Sequence, residues 1–286
     1  MNDRISNILA AFETFDGIYK RDEVDAALAL QDEITPHLIG ILENVLAEPV
    51  AYAQRPDYFG HMYAIQLLGH FLEPRAHDVI VDLASLPPRI PHDLFGDTVT
   101  ESLASILFGT CGGSIERITE LLLNRQADEY CRSAASRALV YAAVEGTVPR
   151  EEILALFGSL FTGNEADPGS DFWGCLASSI CDLYPEELMN VVKKGFEDGL
   201  ISGWIIDYAF FEETLRRGKE RALNEVRDNL KRYAPANYHD RMSWWACFRQ
   251  QPKVTRSSAP SAKKRSRPKR KKGPKPRPRR KRKKRR

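Results

Sequence analysis

At 286 residues the chain is long enough to bury a substantial core, and its formal charge of +3 conceals a sharp division. Residues 253–286 hold 20 of the 42 Lys and Arg and none of the 39 Asp and Glu, which leaves 22 cations against 39 anions, a formal −17, in residues 1–252. Charge segregated on that scale speaks of partners rather than of fold, and it divides the chain into a body, residues 1–250, and a tail, residues 251–286.

The N-terminus, MNDRISNILAAFETFDG, has acidic residues where a signal peptide needs basic ones, and its apolar stretch is short. Nowhere does the chain approach the roughly 18 apolar residues of a membrane span. Five cysteines, Cys111, Cys131, Cys175, Cys181 and Cys247, are odd in number and form no CxxC pair. That argues against a disulfide framework or a zinc ribbon and is the usage of reduced thiols in a cytoplasmic protein.

Apolar residues recur at three and four through the body, without the alternation of a half-buried strand, so the expected class is all-α. Thr35 followed by Pro36 predicts an N-cap and first-turn proline opening TPHLIGILENVLAE. From Tyr58 to Gly199 a helix, a short break and a second helix recur four times, beginning YFGHMYAIQLLGHF, TESLASILFG, EYCRSAASRALVYAAV and DFWGCLASSICD. The equivalent positions Leu68, Leu107, Val140 and Ile180 lie 39, 33 and 40 residues apart, near the period of HEAT-like helical pairs. RSAASRAL, from Arg132 to Leu139, supplies small residues where two helices must approach closely. Pro185 ends one helix and begins the next, PEELMNVVKKGFEDG. The architecture expected is a HEAT-like α-solenoid of stacked helical pairs with a disordered basic C-terminal tail.

Within the body several constellations carry candidate chemistry. His61, His70, His77 and His92 lie close in sequence, and His70 with Glu73 has i, i+3 spacing, but no HExxH is present. His61 and His70, nine residues apart, face different sides of one helix, so these read as ordinary histidines and no metal or other cofactor is expected. His61, Asp97 and Glu101 are groove candidates, although capping-box spacing gives Thr98 and Glu101 a structural role as well. GTCGGS, from Gly109 to Ser114, lacks the Lys and Ser/Thr of a phosphate loop and reads as an inter-helix turn. Trp244 and Trp245 read as a seal on the last helices of the core, with a ligand cage as the other reading.

Taken together, ITPHLIGILENVL from Ile34, HMYAIQLLGHF from His61, GDTVTESLASIL from Gly96, DLYPEEL from Asp182 and SWWACF from Ser243 resemble successive landmarks of the bacterial domain-of-unknown-function family 1186. The resemblance spans roughly residues 20 to 248 and implies a helical, HEAT-like protein whose biochemical role is not established. Many members of that family end in a short Cys-rich zinc-binding module after the Trp-rich segment. Here no Cys follows Cys247, and the basic tail stands in that place.

The tail is the strongest chemical signal. Its candidate nucleic-acid-binding residues are Lys263, Lys264, Arg265, Arg267, Lys269, Arg270, Lys271, Lys272, Lys275, Arg277, Arg279, Arg280, Lys281, Arg282, Lys283, Lys284, Arg285 and Arg286. Prolines remove helix donors and like charges repel, so an extended chain is expected, spanning on the order of 100 Å if polyproline-like. No Phe, Tyr or Trp offers a stacking platform, so binding would be independent of sequence. Three other readings stand beside it: a nuclear-import signal at Lys263 to Lys272 if the protein is delivered to a eukaryotic cell, attraction to another polyanion such as a membrane surface, and contact with the chain's own acidic body. The function expected is a non-enzymatic adaptor, cytoplasmic and nucleoid- or RNA-associated, with a protein partner in the solenoid groove. The alternatives are an uncharacterised enzyme using His61, Asp97 and Glu101, or a protein-binding module that its tail autoinhibits.

Overall fold

In the computed structural model residues 3–249 are described, and every regular element among them is helical. The chain divides into units 1–250 and 251–286, and the tail residues singled out above lie outside the described residues. Four N-terminal helices, α1 (Asp3–Glu13), α2 (Arg21–Ala29), α3 (Gln31–Ala47) and α4 (Pro49–Ala53), precede the paired region. There α5 (Gly60–Phe71) is followed by α6 (His77–Ala84), and two short helices, α7 (Ile90–Phe95) and α8 (Thr98–Glu101), lead to α9 (Leu103–Thr110) and α10 (Glu116–Leu123). The next pairs are α11 (Glu129–Val144) with α12 (Arg150–Gly158), and α13 (Phe172–Asp182) with α14 (Met189–Glu197). The described chain closes with α15 (Tyr208–Arg217), α16 (Lys219–Tyr233) and α17 (His239–Met242).

The first helices of successive pairs pack on one another in chain order, α5 on α9, α9 on α11 and α11 on α13. Leu68, Leu107, Val140 and Ile180, the positions that the spacing equates, lie one on each of these helices and are all fully buried. Close approach is written into small residues. A Cβ on Gly69 of α5 would stand 2.7 Å from Ile106 Cγ1 of α9, and Ser136 of α11 meets Ser179 of α13 hydroxyl to hydroxyl at 2.9 Å. Ala135 and Ala138 on α11 are fully buried, as the small-residue run predicts.

Two buried arginines tie the pairs together. Arg132 donates from Nε to the Leu122 carbonyl and from Nη1 to the Glu165 carbonyl, both at 2.9 Å, while its guanidinium carbon lies 3.8 Å from the centre of the Phe172 ring. One side chain thereby joins α10, α11 and α13. Arg150 donates to the carbonyls of Leu183 and Tyr184 and grips both carboxylate oxygens of Glu187 at 2.7 and 2.8 Å. Tyr184 has a φ of +66°, a left-handed conformation that costs a non-glycine residue energy, and Arg150 holds the carbonyl that this turn exposes.

The structure departs from three sequence expectations. Helix α3 begins at Gln31, not at Thr35, so Pro36 lies inside it and the Thr35 hydroxyl donates back to the Gln31 carbonyl at 2.7 Å. Thr98 caps nothing, because its buried hydroxyl accepts from Gln66 across the helix pair. Trp245 of the Trp segment packs against the core, as the seal reading expects, but through Phe248 it joins the N-terminal helices rather than the last ones. Helix α16 crosses α13 and α11, with Arg227 donating to the Val144 carbonyl and Ser105 of α9 donating to the Tyr233 carbonyl. Residues 238–248 then return to the N-terminal helices: the Tyr19 hydroxyl bonds His239 Nδ1 at 2.8 Å, and Phe248 packs on Phe15, Tyr19 and Phe59.

Gly69→Ala tests the close approach. An alanine gains about 1 kcal/mol of helix propensity, but overpacking costs about 1–3 kcal/mol, and three Ile106 atoms within 3.3 Å, its Cβ included, leave no rotamer escape. A net loss of stability in urea melts is the expected result. Glu187 tests the turn clamp: the hydrogen bond from Arg150 holds its carboxyl down at about 2 against an ordinary 4.5. A depressed carboxyl stabilises the fold fully above its unfolded value and loses that contribution as pH falls. The stability difference between the native chain and Glu187→Gln should therefore be constant above about pH 4.5 and vanish toward pH 2 in chemical denaturation series.

Candidate ligand-binding cavity

The path of the returning segment encloses a cavity of about 810 Å³ between it and the α5–α8 region. Met62 and Gln66, four apart, place one face of α5 on the floor, with Phe59 at its start. Gly96, at φ +50°, turns the chain between α7 and α8 and brings Phe95, Asp97, Thr98 and Glu101 to the same wall. Opposite stand Tyr233 at the end of α16 and Asp240, Arg241, Trp244, Trp245 and Cys247 beyond it. The lining is predominantly aromatic and aliphatic with a few polar groups, the constitution of small-molecule sites.

Its polar groups are unevenly satisfied. The Gln66 amide donates to Thr98 Oγ1 at 3.2 Å and to Ser102 Oγ at 3.0 Å, yet its Oε1 is buried with no partner among the described residues. Asp97 and Glu101, one helical turn apart, form a like-charged pair. Burial first, and then Asp97, raise the Glu101 carboxyl above its ordinary range. Arg241 is only 7% exposed, and its Nε and Nη1 are buried without a partner among the described residues. Burial lowers its pKa, and the Tyr238 phenol opposes that. A buried guanidinium lacking an acceptor is a costly arrangement, retained where something else needs it.

The groove candidates of the sequence separate here. Asp97 and Glu101 line the cavity, whereas His61 lies behind its wall at 5% exposure, stacked on Tyr58, with Nε2–H donating to the Leu94 carbonyl at 2.6 Å. Burial keeps its imidazole below the usual pKa. His61 touches the site only through Phe95, against whose ring it packs edge-on. Of the other histidines, His70 packs on Tyr238, and burial and then the Arg241 charge lower its pKa, while His77 bonds Thr110 at 2.9 Å and His92 approaches Asp128 at 3.3 Å. GTCGGS forms the turn between α9 and α10, with Gly112 and Gly113 both at positive φ. Trp245 packs against the core and Trp244 is half exposed, its indole N–H donating to the Asp240 carbonyl at 2.9 Å, so the two tryptophans divide between the seal and the cage readings.

Arg241, Gln66 and Phe59 escaped the sequence reading. A signal existed for the first: Tyr238, Arg241, Met242 and Trp245 fall at i, i+3, i+4 and i+7, which sets one cation in an otherwise apolar helical stripe.

Among known proteins, the model of a family described as Protein of unknown function (DUF1186) matches residues 3–249. An uncharacterized protein of Chlamydia trachomatis serovar D is 35% identical over 201 residues, 70% of this chain and 80% of that one. Another uncharacterized protein, from Chlamydia muridarum, is 34% identical over 197 residues, covering 69% of this chain and 79% of its own. No solved structure matches the chain.

If Arg241 is unpaired as the geometry describes, replacing it by an uncharged side chain of similar length removes a desolvation cost. Arg241→Met should raise the stability of the ligand-free chain by on the order of 1 kcal/mol or more, read from urea melts. A loss of stability would mean that the guanidinium has an acceptor.

Proposed function

We propose that this chain, which belongs to the DUF1186 family, is a non-enzymatic helical-repeat interaction protein whose basic tail holds it to nucleic acid without sequence preference. The observation that carries the proposal is the partition of charge, a formal −17 in residues 1–252 and +20 in residues 253–286. An acidic surface repels a phosphate backbone, so affinity for nucleic acid belongs to the tail, which stands where many relatives carry a Cys-rich module.

For the body the reading is an α-solenoid of HEAT-like pairs, supported by the chain-order packing of α5, α9, α11 and α13 and by the burial of their equivalent residues. Passage of α16 across α11 and α13 narrows what such a body offers a partner. Part of the face that α11 and α13 would line is taken up by the chain itself, and the cavity offers open space elsewhere. Placement of His61 outside that cavity weighs against an enzyme built from His61, Asp97 and Glu101, since a general base must come within hydrogen-bond reach of what it deprotonates.

The test compares the full chain with one ending at Gln250 in binding to duplex DNA and to RNA of mixed sequence across a salt series. The full chain should bind with a log-log salt slope of about −9 on DNA if about 10 phosphates are engaged, and the shortened chain should show no measurable affinity. Equal binding by the two chains would overturn the assignment to the tail.

A further inference from the structure

We propose that the cavity beside Arg241 binds a small amphipathic monocarboxylate, an organic anion whose carboxylate pairs with the Arg241 guanidinium and whose aromatic or branched apolar body lies against Phe59, Phe95, Trp244 and Trp245. This is independent of nucleic-acid binding by the tail.

Three observations converge. A volume of about 810 Å³ suits a molecule larger than a free metabolite fragment, and the wall is mainly apolar, so burial of an apolar body supplies most of the affinity. Two N–H donors of Arg241, Nε and Nη1, are buried and unanswered among the described residues; they lie on different edges of the guanidinium, so a carboxylate pairs with one edge, Nε with Nη2 or Nη1 with Nη2. Finally, the cavity has acidic groups of its own, none of them bonded to Arg241 Nε or Nη1. Burial and then Asp97 raise the Glu101 carboxyl, and Asp240 adds a third acidic group to the lining.

That last feature selects among anions. A phosphate ester brings close to two negative charges into a space that already contains three carboxyl groups and offers one deeply buried cation, Arg241, with the exposed Arg232 as the second cation of the lining. A carboxylate brings one charge to one guanidinium. Nucleotides and nucleic acid are disfavoured here for the same reason, which separates the ligand of the cavity from the ligand of the tail. Gln66 Oε1, buried and unpartnered on the α5 floor, leaves an acceptor for one donor group on the same molecule.

The experiment uses the full chain, with calorimetric titration of 4-phenylbutyrate, its primary amide and phenyl phosphate at about 0.3 M salt, where the exposed charges of the tail are screened more than a buried pair. The acid should bind at one site at least about tenfold more tightly than the amide, and more tightly than phenyl phosphate. In Arg241→Gln the preference for acid over amide should disappear, whereas Trp244→Ala, at a half-exposed position that the fold tolerates, should weaken acid and amide alike. Equal binding of acid and amide by the native chain, tighter binding of the phosphate, no saturable binding of any of the three, or an acid preference that survives Arg241→Gln would each overturn the proposal. Should Arg241→Gln fail to fold, Trp244→Ala decides alone: unaltered affinity for the acid would place the ligand elsewhere.

Discussion

Helix α11 must lie close to several neighbours at once, and the rest of the body depends on its doing so. It packs against α9 and α10 on one side and α12 and α13 on the other, with α16 laid across it. Large side chains would hold those helices apart, so the sequence spends Ala135, Ser136 and Ala138 where contact is closest and keeps Leu139, Val140 and Tyr141 for the spaces between. Most of this helix is buried, its small residues included. Arg132 adds to that packing by satisfying the Leu122 carbonyl at the end of α10 and the Glu165 carbonyl of a loop and by covering the Phe172 ring, which makes one polar side chain a structural bolt through three helices.

A second constraint follows from the row of first helices. A stack of pairs leaves its first and last members with an uncovered apolar side, and this chain answers the first of these with its own C-terminal segment. Phe12 and Tyr63 stack at 4.3 Å, and Phe248 joins that cluster from more than 180 residues downstream in sequence. The return is pinned by polar contacts as well, since His239 links the Tyr19 hydroxyl to the Asp25 carboxylate. A segment held at both ends, by Ser105 on the Tyr233 carbonyl and by the aromatic cluster, bridges rather than fills the space beneath it. The cavity is the consequence of that bridging. Its polar residues are those that the bridge and α5–α8 present to each other without meeting.

Much of the helical order was legible because it rests on local pattern. The four pairs, the equivalence of Leu68, Leu107, Val140 and Ile180, and the turn at GTCGGS follow from periodicity and glycine placement, which act within one or two turns. What was not legible depends on contacts distant in sequence. Thr98 has every local mark of a cap, yet a buried Gln66 thirty-two residues earlier takes its hydroxyl, because an unsatisfied amide in the core costs more than an open helix end near solvent. Thr35 and Pro36 mislead for a related reason: Leu42 and Val45 need the helix, and Ile34 and Leu38 extend the same buried face backwards past the proline. Asp97 and Glu101 were found as polar residues near a groove, but the guanidinium that faces the same space comes from a segment whose return the pattern does not encode.

Charge separates the two halves of the chain in kind as well as in sign. Affinity of a basic tail for phosphate is long in range, spread over many contacts and steeply salt-dependent, so it sets where a molecule resides more than what it recognises. A buried guanidinium in an apolar cavity works in the opposite manner. Water is excluded, screening is weak, and one correctly placed acceptor counts for more than many near ones. On the proposal above, a body at −17 would keep polyanions away from that cavity while leaving it open to a small, singly charged and largely apolar molecule. On the two proposals together, the acidic character of the body would act as a filter on the cavity, and nucleic acid held by the tail would not compete for the same site.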